Sequence, residues 1–416
     1  MILCKFAAEK LYKMPTIDSK TIEFIQNHKN DDIRTLALQA SKFHDIDINE
    51  ALVQIAGRQI AEKKIPSWAN LNEIRYPKHL SMEQCSSEVT ALYKASLVCG
   101  DTLTDLTAGF GVDFSFMARN FKKADYVERQ ETLCDIAKHN FSILGLTHTS
   151  VHCTNGIDYL KTMEPVDCLF LDPARRDANG GKTVAISECE PDVCALEPLL
   201  IEKGKKVLIK LSPMLDMHSA LNELKSVSEL HIVSVNNECK ELIIILEKDS
   251  MVSLEGEKEI TISCEQVVNN LSSQHFSFTL SEEKSAPCSI AKKIGTYLYE
   301  PGAALLKAGP YRLLSSRFGV EKLHPNSHLY TSDTLVDFPG RCFQVIEISG
   351  FNKKDLKVFM KDVEKANLTV RNFPTTVAEL RKKLKLKEGG ELYLFATTLA
   401  NGEKVLIKGV KTASSK

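Results

Sequence analysis

Leu103-Thr-Asp105-Leu-Thr107-Ala108-Gly109-Phe-Gly111-Val-Asp113 is the stretch whose reading decides the fold. A short apolar run reaches Asp105, two glycines follow with one residue between them, and Phe114–Phe121 continues as a helix. Glycine at 109 and 111 lets the backbone turn sharply and approach a ligand at the carboxyl end of a strand, where open α/β sheets bind cofactors. Glu128 closes the next predicted strand, where an acidic side chain accepts bonds from two ribose hydroxyls. A helix-start turn with a surface Glu is the bland alternative.

The same rhythm extends along the chain. Thr102–Leu106, Ala124–Glu128, Thr149–Cys153, Val166–Leu171, Lys206–Leu211, Leu230–Val235 and Leu242–Glu247 read as strands, with room for helices between the first six. A doubly wound, mostly parallel seven-stranded α/β sheet is the expected fold. The last two strands, joined through Asn236-Asn237-Glu238, predict an antiparallel hairpin at the sheet edge. Residues 17–95 read as helical, with Asp18 or Ser19 capping Thr21–Asn27, then Ile33–Ala40 and Ile48–Glu62. Past Lys248, residues 257–265 and 274–280 read as paired strands, and a short helix spans Ala303–Lys307. Phe343–Ser349, a helix Lys353–Ala366, Leu368–Val370, a basic helix Val377–Leu384 and a hairpin of Leu392–Leu399 with Lys404–Lys408 around Asn401-Gly402 form a small α/β region. The domains expected are 1–95 (helical), 96–250 (sheet), 251–323 (a small α+β linker, ferredoxin-like) and 324–416.

The cofactor follows from what the glycine stretch lacks. A dinucleotide site wants a third glycine at position 114 and a bare helix N-terminus for the pyrophosphate; here stand Phe114 and the negative Asp113. A ligand with ribose and a cationic group but no phosphate fits better, and S-adenosylmethionine has that description. Asp158, after the third strand, either meets an adenine amino group or caps a helix. The fourth strand ends in Asp172-Pro173-Ala174-Arg175-Arg176, a rigid corner that sets Asp172 on the substrate side of the same crevice.

At that corner the sequence resembles the class I S-adenosylmethionine-dependent methyltransferases, over Asp101 to Lys248. Ser81-Met-Glu-Gln84-Cys-Ser86-Ser87-Glu88, the glycine stretch, the Asp172 corner, Val370-Arg371-Asn-Phe-Pro374 and Leu380-Arg-Lys-Lys-Leu-Lys-Leu-Lys387 together resemble the bacterial members with a C-terminal THUMP-like domain, over nearly the whole chain. These are similar to RNA guanine-N2 methyltransferases. The resemblance implies a Rossmann-like sheet and S-adenosylmethionine as cofactor. It places Asp105, Thr107, Ala108, Gly109, Gly111, Glu128 and Asp158 around the cofactor, with Gln84 and Ser86 or Ser87 at its methionine end; a capped helix start is the other reading of that last group. Asp172, Pro173 and Arg175 are the expected catalytic set. The corner departs from the family pattern of Asp/Asn-Pro-Pro-aromatic: Ala174 and Arg175 remove the stacking platform, although an Arg stacks on a base or holds a phosphate. An exocyclic amine needs mainly a nearby acceptor such as Asp172. A carbon-5 pyrimidine mechanism would want a Cys nucleophile, and Ile209-Lys-Leu-Ser212-Pro213 has none.

Composition and charge bound the rest. The 416 residues are 43% hydrophobic and 26% charged, with no apolar run long enough to span a bilayer. Met1–Glu9 holds too short an apolar run for a secretory signal, so a cytoplasmic chain is expected. Twelve cysteines are scattered without a Cys-x-x-Cys, and no structural metal is expected. Residues 281–416 carry 23 Lys and Arg against 14 Asp and Glu, whereas the preceding 280 carry 30 against 40. Arg371, Arg381, Lys382, Lys383 and Lys385 in that basic part, with Phe373 and Tyr393 nearby, are candidates to bind RNA, structured rRNA or tRNA being the expected partner. A solvated helix face explains the same charges. The rival functions are an inert RNA binder on the same fold and a methyltransferase for a protein or small molecule.

Overall fold

The computed structural model describes residues 17–175, 186–248, 259–268 and 272–412. The described part begins with helices. Asp18 accepts from the Thr21 N–H at 3.0 Å and so caps Ser19–Asn27. Asp32 and Asp47 do the same for Ile33–Leu38 and Ile48–Lys64.

Strands then alternate with helices: β1 (Gly100–Asp105), β2 (Phe121–Glu128), β3 (Thr149–Cys153), β4 (Val166–Leu171), β5 (Gly204–Leu211), β6 (Val227–Val235), β7 (Glu238–Glu247), β8 (Thr261–Val268) and β9 (Ser272–Thr279). Their order is β9-β8-β6-β7-β5-β4-β1-β2-β3. β1 pairs in parallel with β2 and with β4, Asp105 standing beside Tyr126 on one side and Phe170 on the other. Central strands are apolar because helices cover both faces: Leu103, Val127, Leu169, Phe170, Leu208 and Ile209 are almost wholly buried. The turn between β6 and β7 uses Asn236 and Asn237, both at positive φ (50° and 63°), the backbone a two-residue hairpin needs. That hairpin does not end the sheet, as the sequence pattern suggests it should, because β8 pairs in parallel with β6 and β9 pairs antiparallel with β8.

Two compact units divide the chain, the boundary passing through β5 and β7. One comprises Met1–Lys210, Asn222–Ser226 and Ile245–Met251; the other comprises Leu211–Leu221, Val227–Ile244 and Val252–Lys416. The second unit contains another sheet, built of β10 (Tyr297–Pro301), β11 (Glu321–Lys322), β12 (Tyr330–Ser332), β13 (Gly340–Gly350), β14 (Asn367–Arg371), β15 (Leu392–Thr398) and β16 (Lys404–Lys411), in the order β11-β12-β10-β13-β16-β15-β14. Leu356, Phe359, Leu380, Leu394 and Leu406 form one of its cores, joining the helices Lys353–Phe359 and Val377–Leu384 to the sheet. The first of these helices stops earlier than its sequence suggests: Asp362 takes a φ of 63°, which ends α-helical winding. Among the described residues no helix is long and apolar enough to cross a membrane, and no cluster of His, Cys, Asp or Glu is arranged to hold a metal ion.

Candidate active site

The site forms where β1, β2 and β4 end. Gly109 and Gly111 adopt φ of 55° and 84°, a region costly for residues with a Cβ. A Cβ at Gly111 would lie 3.0 Å from the Phe141 ring, which packs with Phe114 and Tyr126 in a trio with centroids 5.1–5.6 Å apart. On its other side the loop carries Phe110, set edge-on against the buried Trp68 at 5.1 Å. Trp68 therefore packs the helix Pro66–Ala69 against this loop.

The loop is also tied to its neighbouring strands. Gly109 donates its N–H to Glu128 Oε2 at 3.0 Å, and the Tyr126 hydroxyl donates to the Gly109 carbonyl. Glu128 Oε1 accepts from the Gln130 N–H at 2.8 Å. The Asp172 N–H donates to Thr107 Oγ1 at 2.6 Å, fastening the β4 corner to the β1 loop. Each contact reduces the freedom of the groups around the cleft before any ligand arrives.

Charges gather beneath this loop. Asp113 Oδ2 accepts from Ser86 Oγ at 2.7 Å, while Asp113 also pairs with Lys94 at 3.1 Å and Lys210 at 3.4 Å. Burial pushes the Asp113 carboxyl up, but Lys94, Lys210 and Ser86 outweigh it and hold the group below its ordinary value. Lys210 Nζ lies 2.6 Å from Asp172 Oδ2. Asp105 is 1% exposed; one oxygen accepts from the Thr107 N–H at 3.0 Å and the other is buried without a partner. Burial, reinforced by the carboxylates of Asp113, Asp172 and Glu128, raises the Asp105 carboxyl well above its usual range.

Two adjoining pockets open here, with cavity volumes of about 240 and 160 Å³, sharing Thr107, Gln130 and Asp172. Gln84, Ser86, Asp105, Ala108, Gly109 and Gly111 line the smaller, and Glu128 lines the larger. Asp158 stands apart: it is exposed and paired with Lys161 at 3.0 Å, while Asn155, Gly156 and Ile157 line the cleft in its stead. Gly156 is required, since a Cβ there would overlap the Leu106 carbonyl. Pro173 is buried behind the corner; the Arg175 side chain and Arg176 lie outside the described residues. Lys94 and Lys210 escaped the sequence reading. The signal for Lys210 was a single lysine within the apolar run Val207-Leu-Ile-Lys210-Leu211.

The basic candidates of the second unit separate into two kinds. Arg371 is half-buried and bonded at 3.0 Å to Glu300, a 2%-exposed carboxylate that also holds Arg341. Arg381 reaches the Ala366 carbonyl at 3.4 Å and is mostly covered. Lys382, Lys383 and Lys385 are exposed, with Lys383 Nζ 4.2 Å from the centre of the Phe351 ring.

Residues 297–339 match a ferredoxin-like domain family and residues 340–409 a THUMP domain-like family. An uncharacterized S-adenosylmethionine-dependent methyltransferase of Mycobacterium tuberculosis is 22% identical over 326 residues, covering 77% of this chain and 84% of the relative. A crystal structure of a candidate methyltransferase from Porphyromonas gingivalis is 34% identical, with a TM-score of 0.82 over 95% of this chain and 98% of that one.

Proposed function

Because the chain belongs to the S-adenosylmethionine-dependent methyltransferases that carry a C-terminal THUMP-like domain, we propose that it methylates a base in structured RNA, ribosomal or transfer, in the cytoplasm. The target group proposed is the exocyclic N2 of guanine. The domain limits proposed are 1–95, 96–250, 251–323 and 324–416.

The residues present fit the cofactor. Asp105 offers a buried oxygen without a partner, suited to a cationic group, and the backbone at Gly109 leaves room for close approach. Glu128 meets the ribose, Gln84 and Ser86 the methionine end, and the apolar wall of Leu106, Ile157 and Leu171 the adenine. Bound there, S-adenosylmethionine supplies an electrophilic methyl group on a sulfonium. Asp172 accepts an N–H of the target amine and turns its lone pair toward the cleft, with Thr107 fixing the Asp172 backbone and Pro173 stiffening the corner. Arg175 is assigned to the target nucleotide, and Lys382, Lys383 and Lys385 to RNA phosphates, with Arg381 and Arg371 supporting that surface.

One observation carries the reading: Asp172 lines both pockets and so stands where the part of the cleft suited to the adenine and ribose meets the part suited to the methionine end, beside the place of the transferred methyl. The test is transfer of labelled methyl from S-adenosylmethionine to total RNA from a strain lacking the gene, followed by nuclease digestion. Label in N2-methylguanosine supports the assignment; label in another nucleotide moves the target atom, and label in protein or small molecules alone removes RNA as the substrate.

A further inference from the structure

The cleft has an apolar part and a polar part. The larger pocket is walled by Leu106, Ile157, Leu160, Leu171 and Pro191, which suits a flat heteroaromatic ring. The smaller is walled by Ser86, Asp105, Asp113, Asp172 and Lys210. An amino-acid end with an ammonium and a carboxylate therefore belongs in the smaller pocket, since either charge would be costly against the apolar wall.

Asp113 and Asp172 suit the ammonium, and a carboxylate there needs a cation to meet it. Three N–H groups of the loop are already engaged. Ala108 N–H donates to the Val127 carbonyl at 3.1 Å, Gly109 N–H to Glu128 at 3.0 Å and Gly111 N–H to the Ala108 carbonyl at 2.8 Å. Lys210 is the cationic side chain among the residues lining this pocket. It stands on β5, a central strand, and its side chain is 12% exposed, so its ammonium is positioned and largely shielded from water. Lys94, the other nearby cation, is wholly buried behind Asp113.

Resting on the reading that this cleft holds S-adenosylmethionine, we propose that Lys210 binds the carboxylate of the cofactor's amino-acid end and selects for ligands that carry it. A charge-assisted bond in a shielded site is worth enough to change affinity by about tenfold or more.

The experiment is calorimetric titration of the full chain with S-adenosylmethionine and with its decarboxylated analogue, for the wild type, Lys210→Met, Lys210→Gln, Lys210→Arg and Glu128→Gln, after thermal unfolding has identified which variants fold. The wild type is expected to prefer the carboxylated ligand by about tenfold or more. Lys210→Met and Lys210→Gln should erase that preference, while Lys210→Arg keeps part of it. Loss of Lys210's charge also leaves Asp113 and Asp172 less compensated, which disfavours a carboxylate even without contact, so Lys210→Arg is the arm that separates the two: it keeps the charge and moves the donors. An unchanged ratio in both neutral variants overturns the role of Lys210. Glu128→Gln should weaken both ligands equally; no effect on either overturns the cleft as the cofactor site, and the Lys210 assignment with it.

Discussion

Lys210 Nζ stands 2.6 Å from Asp172 Oδ2 and 3.4 Å from Asp113 Oδ2, so one ammonium on β5 joins the corner after β4 to the helix after β1. Each of the two carboxylates has a second anchor. Asp172 is fastened through its N–H to Thr107, and Asp113 through its carboxylate to Ser86 and Lys94. Shared partners of this kind make the cleft a network whose members respond to one another's removal.

Lys94 is the most costly member to remove. It is 0% exposed and faces Asp113 at 3.1 Å. Lys94→Met is expected to lower unfolding free energy by about 3–5 kcal/mol, the cost of stripping a partner from a buried pair. Urea unfolding checks this, and pairing it with Asp113→Asn should recover part of the loss.

Asp105 gives stability a pH dependence of definite sign. Its carboxyl is raised well above the ordinary range, chiefly by burial, so the folded state holds the proton more tightly than the unfolded chain. Its contribution is full below the ordinary carboxylate value and is lost as pH rises through the raised one. Asp105→Asn keeps an acceptor for the Thr107 N–H and has no charge to bury. It should match the wild type near about pH 4 and exceed it by a few degrees in melting temperature at about pH 8.

Gly111→Ala tests the loop. At a φ of 84°, and with the Phe141 ring 3.0 Å from the new methyl, a loss of about 1–3 kcal/mol is expected, with weakened cofactor binding. Gly145, also at positive φ but with nothing near its missing Cβ, is the control whose substitution should leave cofactor affinity unchanged.

Reversing charge at Lys382, Lys383 and Lys385 should weaken RNA binding and flatten its dependence on salt, reducing the logarithmic slope by about 2. Arg371→Ala should behave differently. It strips a cation from the buried Glu300 and is expected to lower thermal stability more than the salt slope. Filter binding over a salt series, beside thermal unfolding, distinguishes the two.

Much of this was legible in the chain because buried parallel strands are nearly uniform apolar runs. Val166–Leu171 and Thr149–Cys153 have the limits their sequences predict, and Val377–Leu384 is a helix as its spacing says. β8 escaped as a member of the first sheet because Ser263, Glu265 and Gln266 are buried in it, and polar residues do not announce a covered strand. Gly109, Gly111 and Glu128 stand at the cleft as their sequence places them, because local backbone demands and strand ends leave marks in sequence. Lys94 and Lys210 were missed because their meaning lies in meeting Asp113 across three separate segments, which no local spacing encodes. Of the two readings open for Asp158, the structure displays a place in the first turn of a helix, where its side chain turns to Lys161 and Asn155 is the cap.

The most direct measurement is single-turnover methyl transfer to RNA, at saturating S-adenosylmethionine, by the wild type and Asp172→Ala. With Asp172 as the group that orients the amine, the variant should lose transfer by about a hundredfold or more even with its cofactor site saturated. Transfer at the wild-type rate by a folded Asp172→Ala protein would contradict the proposed site.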